Sequence, residues 1–74
     1  MKLWLISQSV NNDYDTYDSA VVAAETEDDA RNIEVGSVGP VATWCKPEHV
    51  EVRLIGDALP GTERGVVLAS FNAG

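Results

Sequence analysis

Residues 2–8 read KLWLISQ, and the way this stretch is placed decides the fold. In an extended strand successive side chains point to opposite faces, so Leu3 and Leu5 share one face and Trp4 and Ile6 the other. Both faces are apolar. A strand of this kind belongs in the middle of a sheet with something packed on each side, and the rest of the chain is read around it.

A polar run, 9–18, follows; its Asn, Asp and Ser residues favour turns by bonding nearby backbone. Ser19 to Glu25, SAVVAAE, reads as a second strand whose alanines let a neighbour pack closely. The next residues, TEDDARNI, match the capping-box pattern: Thr26 is followed three residues later by Asp29. Glu27, Asp28 and Asp29 would fill the first turn, where the helix dipole favours anions. Only Ala30 and Ile33 supply an apolar stripe, so the expected helix has two to three turns and ends near Gly36. The segment 36–40, GSVGP, is a break. Val41 to Trp44 reads as a short strand or as an anchor that drops Trp44 into the core. Lys46-Pro47-Glu48-His49 reads as a turn, because proline disfavours helical geometry at the residue before it.

Val50 to Leu54 alternates, with Val50, Val52 and Leu54 on one face and Glu51 and Arg53 on the other. Ile55-Gly56 breaks the phase and predicts a bulge or bend. Pro60-Gly61 is the natural central pair of a type II turn. The closing GVVLASFNAG reads as another strand apolar on both faces, with Val66 and Leu68 opposite Val67, Ala69 and Phe71. The expected fold is thus α+β, a single domain over residues 1–74: a four-stranded, mostly antiparallel sheet with one short helix, in the order β-β-α-β-β. One helix cannot cover both faces, so the second face needs the 37–49 segment with Trp44, or a second subunit.

Composition excludes several function classes. Twelve acidic and five basic residues give a net charge of −7, which argues against direct contact with nucleic acid or an anionic membrane surface. No stretch approaches a membrane span, and the N-terminus lacks the long apolar region of a signal peptide, so a cytoplasmic location is expected. The single cysteine, Cys45, cannot form an intramolecular disulfide. A small domain without staples has little stability to spare, which points to self-association, with a homodimer as the expected form.

Catalytic and metal chemistry find little to work with. Placed on an EF-hand, Asn11, Asp13 and Asp15 fit the first acidic ligands, but Thr16 stands where glycine is needed and Val22 where the bidentate glutamate is needed. Cys45 and His49, four apart, are too few for a structural zinc site. As nucleophile and base they lack a third orienting group, and Pro47 interrupts a regular helix. No phosphate loop is present. The chain therefore reads as non-enzymatic, without a cofactor.

Binding remains. Residues 1–34 carry eight carboxylates and two cations, and residues 35–74 carry four and three. Within the acidic half, NNDYDTYD (11–18) embeds two tyrosines among aspartates. Tyrosine offers large contact area at low entropic cost, and carboxylates suit a basic partner. Asp13, Tyr14, Asp15, Tyr17 and Asp18 are the candidate protein-binding residues. The competing reading tucks one tyrosine under the sheet and leaves the aspartates to cap turns.

The stretch YDTYDSAVVAAETEDDAR and the closing GVVLASFNAG resemble a family of small hypothetical proteins of phages and prophages, over about two thirds of the chain. Residues 34–49 are short relative to that pattern. The resemblance implies an accessory protein that binds and blocks a host protein, of the anti-defence or anti-CRISPR kind, sometimes by imitating nucleic-acid charge. It carries over no site residues. The alternative is a structural or assembly protein that works by homo-oligomerisation.

Overall fold

The computed structural model describes residues 1–11, 16–36 and 43–72. Four strands, β1 (Lys2–Ser7), β2 (Thr16–Ala24), β3 (Glu51–Asp57) and β4 (Gly65–Asn72), form one sheet in the order β3-β1-β2-β4. Every neighbouring pair is antiparallel. One short helix, α1 (Glu27–Arg31), follows β2, and a 3₁₀ turn spans Pro47–His49. This is the α+β architecture expected from the pattern, with KLWLIS inside the sheet between β2 and β3.

Directly paired residues of an antiparallel ladder share a face, so the register defines two surfaces. Trp4, Val22, Leu54 and Val66 lie in one row of the first face, and Ile6, Ala20, Val52 and Ala69 in the next. This face holds the core, where Ala30, Ile33, Val35, Trp44 and Val50 pack onto Trp4, Ile6, Ala20, Val22 and Ala24. The second face carries Leu5, Val21, Arg53 and Leu68 in one row, and Ser7, Ser19, Glu51 and Ser70 in the next.

The helix is shorter than the sequence predicts. Thr26 caps it as expected, its Oγ1 accepting from the Asp29 N–H at 3.1 Å. It ends after Arg31 in a tightened turn: the Asn32 N–H is shared between the Asp28 and Asp29 carbonyls at 3.2 and 3.3 Å, and the Ile33 N–H bonds to the Ala30 carbonyl at 3.2 Å, an i→i−3 contact, while the Asn32 side chain adds a bond to the Asp28 carbonyl at 2.7 Å. Beyond it Ile33 and Val35 are buried and Glu34 is exposed, a period of two in place of the helical one. Gly36 then turns the chain with φ +70°, and a Cβ there would come within 2.1 Å of the Tyr17 ring. Both the backbone angle and the close approach require glycine.

Trp44 is an anchor, and Thr43 and Trp44 lie outside the strands; Val41 and Ala42 fall outside the described residues. Thr43 fixes this segment from two sides. Its carbonyl accepts from the Tyr17 N–H at 2.9 Å, and its hydroxyl donates to the Val35 carbonyl at 2.9 Å. Trp44 consequently joins the same layer as α1 and does nothing for the opposite face of the sheet.

The expected irregularity in β3 is present: Leu3 pairs with Gly56 and Trp4 with Leu54, which leaves Ile55 as the extra residue. A second bulge went unread. Val21 pairs with Leu68 but Val22 with Val66, so Val67 is the extra residue on β4. The bulge corrects the expected phase of that strand, since Val66 faces the core side and Leu68 the opposite side. It also corrects the expected two-sided burial of β4, which is an edge strand with Val66, Val67, Leu68 and Phe71 exposed. The Pro60-Gly61 turn forms, with Gly61 at φ +89° and the Thr62 N–H bonded to the Leu59 carbonyl at 3.1 Å. It does not close a hairpin. Strands β3 and β4 sit at opposite edges, roughly 14 Å apart from three strand spacings, and residues 58–64 cross the end of the sheet to join them.

Candidate interaction surfaces

The connection between β1 and β2 carries the predicted recognition residues, and Gln8 holds its root. The Gln8 side chain is buried. Its Nε2 donates to the carbonyls of Asn11 and Tyr17 at 2.9 and 2.8 Å, and its Oε1 accepts from the N–H groups of Val10 and Asn11 at 2.9 and 2.8 Å. All four hydrogen-bonding positions of the amide are thereby used. Asn11 Nδ2 in turn donates to the Trp44 carbonyl at 3.1 Å. Sequence reasoning passed over Gln8; the available signal was an amide directly after β1, in the phase of its core-facing residues, which must find partners if buried.

Of the five candidate residues, Asp13, Tyr14 and Asp15 lie outside the described residues. Asp18 is exposed at the root of the loop, where it is the extra residue between the Tyr17–Phe71 and Ser19–Ser70 pairs. Tyr17 is half-buried. Its ring packs on the core and meets Phe71 at a centroid distance of 4.9 Å and a tilt of 57°. The structure thus brings Tyr17 into the sheet packing and leaves Asp18 on the surface.

A second group of carboxylates surrounds the start of the helix. Glu25, Glu27, Asp28 and Glu34 are exposed. The two arginines nearest them are engaged elsewhere: Arg31 donates to the Val50 carbonyl, and Arg64 Nε pairs with Asp29 Oδ1 at 2.7 Å. The Arg64 pair also ties the 58–64 connection to the helix. It is partly exposed, so its worth is at most about 1 kcal/mol.

The sheet face turned away from the helix is a third surface, which sequence reasoning identified only as needing a cover. Ala23, in its Leu3 row, is fully buried, and the open part of the face is the rows through Leu5 and Ser7. Leu68 is 69% exposed, and Leu5 and Val21 beside it are half-buried. Together with Ser19 and Ser70 they line a shallow groove. Its only charged residues in the paired rows are Glu51 and Arg53.

Reactive groups are quiet. Burial pushes the Cys45 thiol up from its ordinary value near 9.0, the opposite of what a nucleophile requires. His49 is exposed, with Nε2 at 3.8 Å from Glu48 Oε1. Among the described residues no three His, Cys, Asp or Glu side chains converge on a common point. No helix among them is long and apolar enough to cross a membrane. Comparison with family models, with curated proteins and with solved structures returns no match.

Proposed function

We propose that this chain is a small acidic accessory protein that binds and inhibits a host protein with a basic surface, in the host cytoplasm and without a catalytic step. The supporting observation is how charge is distributed. Glu27, Asp28 and Glu34 are exposed and outnumber the cation left beside them: Arg64 is paired with Asp29, the Met1 ammonium lies 4.0 Å from Glu25, and Arg31 donates to the Val50 carbonyl. A negative field of this kind steers association with cations and suppresses contact with nucleic acid directly. Asp13, Asp15 and Asp18 add to that charge from the β1–β2 connection, whose root Gln8 fixes. The phage-type resemblance of the sequence agrees with an anti-defence role.

The test is capture of a partner from host lysate at increasing salt, with Asp13, Asp15 and Asp18 replaced by asparagine in one variant and Glu27 and Asp28 by their amides in another. The reading expects weaker capture and a flatter salt dependence in at least one variant. Equal recovery of the same partner by both variants and the unaltered chain, at every salt concentration, would overturn it.

A second reading, assembly by homo-oligomerisation, is favoured by a different observation. The sheet carries Leu5, Val21 and Leu68 in one row of the face turned away from the helix, with Leu68 exposed and Leu5 and Val21 half-buried.

A further inference from the structure

We propose that a second copy of this chain covers the open face of the sheet, seated face to face about a twofold axis that runs parallel to the strands between β1 and β2. The proposal rests on the assembly reading and gives it a partner, a surface and a geometry.

Charge selects the partner. The chain carries a net charge of −7, so most approaches of two copies are repulsive. On the open face Glu51 and Arg53 cancel, the other paired residues of the Leu3, Leu5 and Ser7 rows are neutral, and Asp18, whose carboxylate accepts from Ser19 Oγ at 3.3 Å, adds one negative charge at the serine end. Two copies therefore meet less like charge on this surface than the net charge of −7 imposes elsewhere. A basic partner of the kind the helix side suits would gain little from it.

The edges of the sheet are less suited to self-pairing. Each edge strand carries a bulge, at Ile55 in β3 and at Val67 in β4, and bulges disrupt the ladder that another chain would have to join. β3 also presents Glu51, Arg53 and Asp57. Face-to-face packing at about 10 Å, as in two-sheet sandwiches, avoids both obstacles.

The position of the apolar residues selects the axis. Leu5 and Val21 are direct cross-strand partners at the centre of the face. A twofold between β1 and β2 sets Leu5 of one copy on Val21 of the other, and Val21 on Leu5, in the manner of an isologous interface. The same operation lays β3 over the partner's β4, so Arg53 faces Leu68 with its aliphatic stem against the leucine. Glu51 then faces Ser70. A twofold perpendicular to the strands would instead set β3 over β3 and bring the two Arg53 side chains toward each other. The serine row forms a polar rim at one end of the contact.

The size of the face sets the affinity range. Four strands and a six-residue ladder give a footprint of roughly 19 by 20 Å, or about 800 Å² counted over both copies. That falls below the ~1,200 Å² typical of stable complexes. The dimer is accordingly a weak one, populated between micromolar and millimolar concentration.

Sedimentation equilibrium across that range, together with cross-linking, tests the proposal. In a Cys45→Ser background, chains carrying Arg53→Cys are mixed with chains carrying Leu68→Cys and treated with a short bis-maleimide, because sheets about 10 Å apart are too far for a disulfide. The proposal expects reversible dimers and cross-linked product several-fold more abundant in the mixture than with either chain alone. Leu68→Lys, a substitution at an exposed edge position, should weaken the dimer about tenfold or more by setting a second cation against Arg53 of the facing copy. A strict monomer over the whole range overturns the proposal and the assembly reading with it. A dimer that survives Leu68→Lys overturns the face-to-face seating, and one that cross-links Arg53→Cys to itself most readily overturns the proposed axis; either result leaves assembly standing.

Discussion

Gln8 shows how one side chain sets the geometry of a functional loop. Its amide makes four hydrogen bonds to residues between Val10 and Tyr17, so removing it strands two carbonyls and two N–H groups at once. Gln8→Ala is expected to cost about 2–4 kcal/mol, since unsatisfied buried groups cost about 1–3 kcal/mol each and solvent re-enters part of the site. Chemical denaturation reads the loss, and a change under 1 kcal/mol would mean that water replaces the amide at little cost. Gly36 is constrained by geometry alone. Gly36→Ala must hold a side chain at φ +70° and push the Tyr17 ring aside, with an expected loss of about 2–4 kcal/mol from strain and overpacking combined. An unchanged melting midpoint would contradict the Tyr17 contact. Trp44 works in the opposite sense, because its indole N–H is buried with no acceptor among the described residues, whereas Trp4 donates to the Ala24 carbonyl at 3.0 Å.

At the scale of elements, the five-residue helix is too short to be stable by itself and depends on its cap and on packing. Thr26→Ala removes the acceptor of the Asp29 N–H and is expected to destabilise the protein by about 1 kcal/mol, with thermal unfolding as the measurement. Thr26→Asn should restore most of the loss, and failure of both substitutions to move the midpoint would show that the cap is dispensable. The cap was legible because its signature is local: a threonine, three spacings, a carboxylate. Strand β1 was legible for a similar reason, since two apolar faces leave only a central position. The order of the remaining strands and the bulge at Val67 were not, because register depends on pairing between residues some 45 positions apart. The helix ends earlier than its spacing suggests because Ile33 continues the apolar spacing of Ala30, and nothing in that spacing reveals that the Ile33 N–H turns to the Ala30 carbonyl. Of the predicted recognition residues, Asp18 is exposed as a polar loop residue should be. Tyr17 packs on Phe71, a contact made across β2 and β4 that no local pattern encodes.

The whole molecule is divided by character. One side carries the helix, both tryptophans and exposed carboxylates; the other is a sheet face with an apolar Leu5–Val21–Leu68 row and few charges. Sequence alone indicates that one helix leaves one face of the sheet over, since α1 supplies too little surface for both. Which face stays open could not be read from it, because that depends on Thr43 and Asn11 drawing Trp44 to the helix side. On this account the acidic side is free for a basic partner while the apolar side meets a second copy, so the two contacts do not compete. A dilution series of amide proton and nitrogen chemical shifts, from millimolar to micromolar protein, tests that division most directly. The account predicts concentration-dependent shifts confined to Leu5, Ser19, Val21, Leu68, Ser70 and their neighbours on the open face, with the helix and its carboxylates unmoved. Shifts that do not change on dilution, or that change around α1 and not on the sheet, would contradict it.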